Sequence, residues 1–143
     1  PVEILEAAYP VMFTQWALRP DSGGAGEHRG GVGAIYEIEA LALGRTEVAL
    51  LGERGRFAPF GVAGGAAGAL NRFTWGSAGE TPPMASKIVG VSIAQGERVR
   101  LETPGGGGWG DPAARPLHAI ARDIRLGYVS AEAAALDYEG HGQ

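Results

Sequence analysis

The side chains best equipped for chemistry lie between Arg19 and Gly31, where Arg-Pro-Asp-Ser-Gly-Gly-Ala-Gly-Glu-His-Arg-Gly-Gly gathers polar groups among glycines. Asp21, Ser22 and His28 are the residue types of a hydrolase triad. Adjacent Asp and Ser do not easily stand on opposite sides of one imidazole, so a triad is not expected. A second chemistry is anion binding. Successive glycine N–H groups form a nest, and Arg29 adds a planar cationic fork beside it. The competing, structural role has Asp21 and Ser22 capping the loop turn while Arg29 bonds carbonyls or pairs with Asp21. Asp21, Ser22, His28 and Arg29 are therefore the candidate contacts to a substrate or partner, and no residue is assigned as catalytic.

Other strings point to less. Gly105 to Gly110 reads G-x-G-x-x-G and follows an expected strand, but Asp111-Pro112 comes next and no parallel βαβ context surrounds it, so dinucleotide binding is not expected. Lys87, the only lysine, lies between Ser86 and Ile88 and lacks the glycines of a P-loop. His28, His118 and His141 match no metal spacing, and the absence of cysteine removes thiolate sites, so no metal is expected on this chain. Lack of cysteine also fits a reducing, cytoplasmic compartment. Net charge is −4 with no basic patch, which argues against nucleic acid. No apolar run is long enough for a transmembrane helix, and Pro1-Val2-Glu3-Ile4 does not read as a retained secretory signal. The arginines of Glu53 to Gly61 suit a solvated charge cluster or a partner surface. Trp16, Trp75 and Trp109 are expected as core or interface anchors.

Positioning falls to a mainly β chain of 143 residues, read as one domain, 1–143. Alternation and β propensity predict short strands at 9–18, 34–43, 46–52, 72–75, 87–94 and 97–102. Leu117, Ile120, Ala121 and Ile124 follow helical spacing up to a stop at Gly127, and Ser130 caps a second short helix from Ala131 to about Asp137. That order implies antiparallel β in a barrel-like or two-sheet arrangement with two short carboxy-terminal helices. Glycine is the compositional outlier, 25 residues, often spaced by three: Gly23 and Gly26, Gly30 and Gly33, Gly61 and Gly64, Gly65 and Gly68, Gly105 and Gly108, Gly107 and Gly110. Polyproline II has three residues per turn, so such spacing leaves one side bare and lets extended segments pack backbone to backbone. Ordinary turn glycines, needed for positive φ, are the alternative.

Four stretches in this order resemble the hydantoinase B/oxoprolinase family. They are Arg19 to Gly33, Phe57-Ala-Pro-Phe-Gly-Val-Ala-Gly-Gly65, Thr103-Pro-Gly-Gly-Gly-Gly-Trp-Gly-Asp-Pro112 and Arg122-Asp-Ile-Arg-Leu-Gly-Tyr-Val-Ser130, with Pro1 to Glu6 resembling the segment before the first. The family includes the B parts of N-methylhydantoinase, 5-oxoprolinase and the acetone and acetophenone carboxylases. The resemblance implies β-sheets leading into a bundle of polyproline II-like segments. It implies a hydantoinase A-type partner that binds ATP and phosphorylates an amide or carbonyl oxygen, or bicarbonate. The B-type part would then complete hydrolysis of a cyclic amide or, alternatively, a ketone carboxylation. ATP and a divalent metal are expected on partner chains. A full B-type subunit is several times longer, so the chain is expected to be a carboxy-terminal segment, not catalytic alone, or a non-catalytic assembly module. Its ending, Asp137 to Gln143, departs from the family's usual finish.

Overall fold

The computed structural model describes residues 1–82 and 86–138. The elements are α1 (Val2–Ala8), β1 (Val11–Arg19), β2 (Gly33–Ala40), β3 (Arg45–Leu51), β4 (Arg72–Trp75), β5 (Lys87–Ala94), β6 (Arg98–Glu102), α2 (Leu117–Arg125) and α3 (Ala131–Asp137), with a 3₁₀ turn at Pro112–Ala114. The mainly β reading and both carboxy-terminal helices hold. Helix α1 is the addition. Its good helix formers run from a proline N-cap to Tyr9, which the following Pro10 holds extended at φ −130°.

Contacts divide the chain into two compact units. The first comprises Pro1–Ala17, Ala34–Arg56 and Asn71–Glu102; the second comprises Leu18–Gly33, Phe57–Leu70 and Thr103–Gln143.

Two sheets make the first unit: one of four strands in the order β1-β2-β6-β4, and a β3-β5 ribbon. Antiparallel pairing sets Glu37 opposite Arg100 and Glu39 opposite Arg98, so one face carries a ladder of cross-strand ion pairs. Tyr36, Ile38, Val99 and Leu101 point the other way. They line an apolar cavity of about 330 Å³ with Val48 and Leu50 of the ribbon. Ala40, Val91 and Ile93 form the buried core here. The ribbon register slips between Val48↔Val91 and Leu50↔Ile88. The extra residue falls on β5, where Gly90 takes φ 72°, a bulge that favours glycine.

The second unit is a bundle of extended segments under two helices. Segments 22–33, 59–69 and 103–110 hydrogen-bond to one another in all three combinations. Gly24 donates to Gly106 O (2.9 Å), Gly108 to Ala66 O (2.9 Å) and Ala66 to Ala25 O (2.7 Å). None of the three is a strand ladder. Of the three-spaced glycines only Gly64 and Gly110 take positive φ, so turn geometry does not explain the rest. Close approach does. A Cβ on Gly65 would run into the Gly108 carbonyl, one on Gly105 into that of Ser22, and one on Gly108 into that of Ala25. Backbone therefore packs on backbone here, one of the two arrangements that the glycine spacing allows.

Helices α2 and α3 close this unit over Ala25, Ile120, Val129, Ala134 and Tyr138. Ser130 caps α3 by accepting from Ala133 N, as its sequence position predicts. Helix α2 buries Ile120 and Asp123, leaving Leu117 and Ile124 exposed. An aspartate thus occupies a position that the apolar period alone does not reveal.

Candidate functional site

Three of the four candidate residues in the 21–29 loop are tied into the second unit. Asp21 adopts φ 58°, an αL position that Asp tolerates better than most residues. Its N–H donates to Tyr128 O (3.0 Å), and its Oδ1 accepts from Ser130 N (2.7 Å). Asp21 thereby holds the turn between α2 and α3. Ser22 is 1% exposed. Its hydroxyl donates to Arg19 O (2.6 Å) and accepts from Gly33 N (2.8 Å), clasping both ends of the loop.

Arg29 does not pair with Asp21. Its Nε donates to Asp123 Oδ2 at 2.9 Å, its Nη1 bonds Gly30 O, and its guanidinium lies 5.2 Å from the Tyr128 ring centroid. Arg115 reaches the same Asp123 oxygen at 2.7 Å and also donates to Glu27 O (2.9 Å). One buried carboxylate therefore gathers two guanidinium groups whose side chains are only 13% and 11% exposed. Burial raises the pKa of nearby Tyr138, opposed by the Arg115 and Arg29 charges. Asp137 lies above the ordinary carboxylate range, first from partial desolvation and then from the Asp21 charge.

Asp21 and His28 are both exposed, and of these two it is His28 whose side chain makes no hydrogen bond among the described residues. Its backbone exchanges two hydrogen bonds of 2.9 Å with Trp109, and the two rings lie 5.4 Å apart. Val62 bridges Trp109 on the other side. Trp109 remains 49% exposed, and Phe57, Phe60 and Val62 are exposed too. The bundle thus presents an imidazole beside an aromatic surface, suited to stacking on a flat group and exchanging a hydrogen bond with it. Sequence reasoning finds Trp109 as an anchor. It does not find Trp109 as the neighbour of His28, because 81 positions separate them.

The other motifs are accounted for. The amides of Gly106, Gly108 and Gly110 in the G-x-G-x-x-G string donate to carbonyls of Gly31, Ala66 and Val62. His118 is exposed on α2, and His141 lies outside the described residues. Among the described residues no three His, Cys, Asp or Glu side chains are grouped to hold a metal ion. No helix among them is long and apolar enough to cross a membrane.

Comparison with known proteins adds the family context. Residues 1–112 match the family model described as hydantoinase B/oxoprolinase. The chain is 40% identical over 152 aligned positions to the caprolactamase subunit beta of Pseudomonas jessenii, covering 99% of this chain and 26% of that protein. The crystal structure of ATP-dependent caprolactamase from the same organism superposes with a TM-score of 0.81 at 34% identity, over 100% of this chain and 26% of that one. An acetone carboxylase structure shares the fold, with a TM-score of 0.79 at 24% identity over 96% of this chain and 22% of that one. The chain thus spans about a quarter of the length of these relatives.

Proposed function

Because the chain belongs to the hydantoinase B/oxoprolinase family, we propose that it is the carboxy-terminal component of an ATP-dependent complex that hydrolyses a cyclic amide. The supporting observation is that 99% of its length is matched within a caprolactamase beta subunit at 40% identity. An amide is a poor electrophile, and transfer of a phosphoryl group to its oxygen would make the carbonyl carbon open to water. In this reading ATP and a divalent metal belong to partner chains, a hydantoinase A-type subunit and the remaining B-type portion, in the cytoplasm.

This chain contributes shape and one contact surface. Asp21, Ser22 and Arg29 fix the glycine loop, and His28 with Trp109 meets the substrate or partner. Rigid glycine backbones hold that surface with little side-chain freedom to lose, which favours tight positioning. In this reading the chain is not catalytic alone and acts together with its partner chains.

Reconstitution of the chain with the remaining B-type portion and an A-type subunit tests the reading. Ring opening of a lactam, a hydantoin or 5-oxoproline is followed together with phosphate release. Activity is expected to require ATP and this chain. His28→Ala and Trp109→Ala are each expected to lower turnover at least tenfold with the melting temperature unchanged. Full activity without the chain would refute the reading. So would turnover that demands bicarbonate and a ketone.

A further inference from the structure

Among the described residues strand β1 ends the four-stranded sheet, with β2 as its neighbour. The Phe13 amide is held by the Glu6 carboxylate at 2.7 Å, which marks it as facing the open edge. Backbone groups alternate direction along a strand, so the Gln15 and Ala17 amides face the same way. An open edge is a template for another strand, and a carboxylate laid on one of its amides is a guard against casual pairing.

The surroundings of this edge are apolar. Helix α1 has no buried residue. Ile4, Leu5, Tyr9, Met12 and Trp16 follow one another along α1 and β1, all exposed, and Trp16 is 66% exposed although it stacks on Tyr36 at 5.2 Å. Scattered exposed apolar residues are ordinary, but five large ones on one short helix and the edge strand that follows it point to an interaction surface. Val11, at the start of the same strand, lines the apolar cavity between the sheets, so that cavity reaches the edge.

We propose that an extended segment of the remaining B-type polypeptide adds as a fifth strand on the β1 edge, and that the body of that polypeptide covers α1 and Trp16. This rests on the functional reading above. The caprolactamase chain that contains this whole fold devotes only 26% of its length to it, so an occupant of sufficient size exists in a protein of the same architecture. The exposed apolar side chains Ile4, Leu5, Tyr9, Met12 and Trp16 outnumber the acidic Glu3 and Glu6 beside them, and no basic residue lies between Pro1 and Leu18, which suits a folded protein surface and not a nucleic acid. Addition at a sheet edge gains backbone hydrogen bonds from the new strand and apolar contacts from its alternate side chains.

Hydrogen–deuterium exchange on the full chain, alone and within the active complex, reads the edge directly. Amides of Gln15 and Ala17 are expected to exchange at least tenfold more slowly in the complex. Trp16→Lys, a surface change, is expected to weaken assembly at least tenfold while the free chain melts as wild type. Equal exchange in an active, assembled complex would overturn this inference and leave the functional reading standing. Protection produced by the A-type subunit alone, or by a second copy of this chain in a sedimenting homodimer, would also overturn it. A chain that never enters an active complex would sink both.

Discussion

Replacing Asp123 with asparagine keeps the side-chain shape and removes an anion shared by Arg29 and Arg115. Asp123 is 6% exposed, and its Oδ2 lies 2.9 Å from Arg29 Nε and 2.7 Å from Arg115 Nη2. An asparagine amide offers a weaker acceptor and brings donors of its own toward two guanidinium groups. Removing one partner of a buried pair costs about 3–5 kcal/mol, because the remaining charge loses its compensation without regaining water. For a chain of this size each kcal/mol moves the melting temperature by roughly 3–4 °C, so Asp123→Asn is expected to melt about 10–20 °C lower. The loss should concentrate in the second unit, where Arg29, Arg115 and Asp123 join the glycine loop to α2. Circular dichroism melting reads the total, and hydrogen exchange over residues 117–138 reads the location. The exposed Glu53–Lys87 pair is the control, and Glu53→Gln should leave the melting temperature unchanged within error. A melting temperature for Asp123→Asn within about 3 °C of wild type would refute the reasoning, since the buried carboxylate would then be dispensable.

Three further outcomes follow from the same geometry. Gly108→Ala drives a methyl into the Ala25 carbonyl and should prevent stable folding, whereas Gly31→Ala meets nothing within 4 Å and should change stability by less than about 1 kcal/mol in a urea titration. Ser22→Ala removes the acceptor of the buried Gly33 N–H and the donor to Arg19 O, a loss of about 1–3 kcal/mol measurable by the same titration. Asp137 has a pKa above its ordinary value, so its charged form opposes folding at neutral pH, and that opposition fades as pH falls through the folded-state pKa. Asp137→Asn should therefore be more stable than wild type at pH 7 and equal to it below about pH 3, where the carboxyl is protonated in both states, as paired denaturation curves would show.

Much of the secondary structure is legible in the sequence because its causes are local. Alternation sets β1, and the Ser130 cap sets the start of α3. The three-residue glycine spacing allows backbone packing, and that possibility is legible because periodicity is a property of the segment itself. Expected boundaries fail where a distant contact or a single φ decides. Strand β2 stops at Ala40 and not at 43, and Gly44 then turns the chain at φ 90°. Helix α1 escapes notice because seven residues between prolines carry too little periodicity to read.

What only the tertiary structure decides are the partners. Arg29 and Asp123 stand 94 positions apart, and nothing in either segment identifies the other. Local rules place Arg29 in a loop and Asp123 on a helix; the meeting of the three glycine segments makes one the counter-ion of the other. The same holds for His28 beside Trp109. Composition and spacing suffice for the elements, since each residue's conformation depends mainly on near neighbours. The site belongs to the fold, since burial and charge pairing depend on which distant backbones the bare sides of the glycines admit.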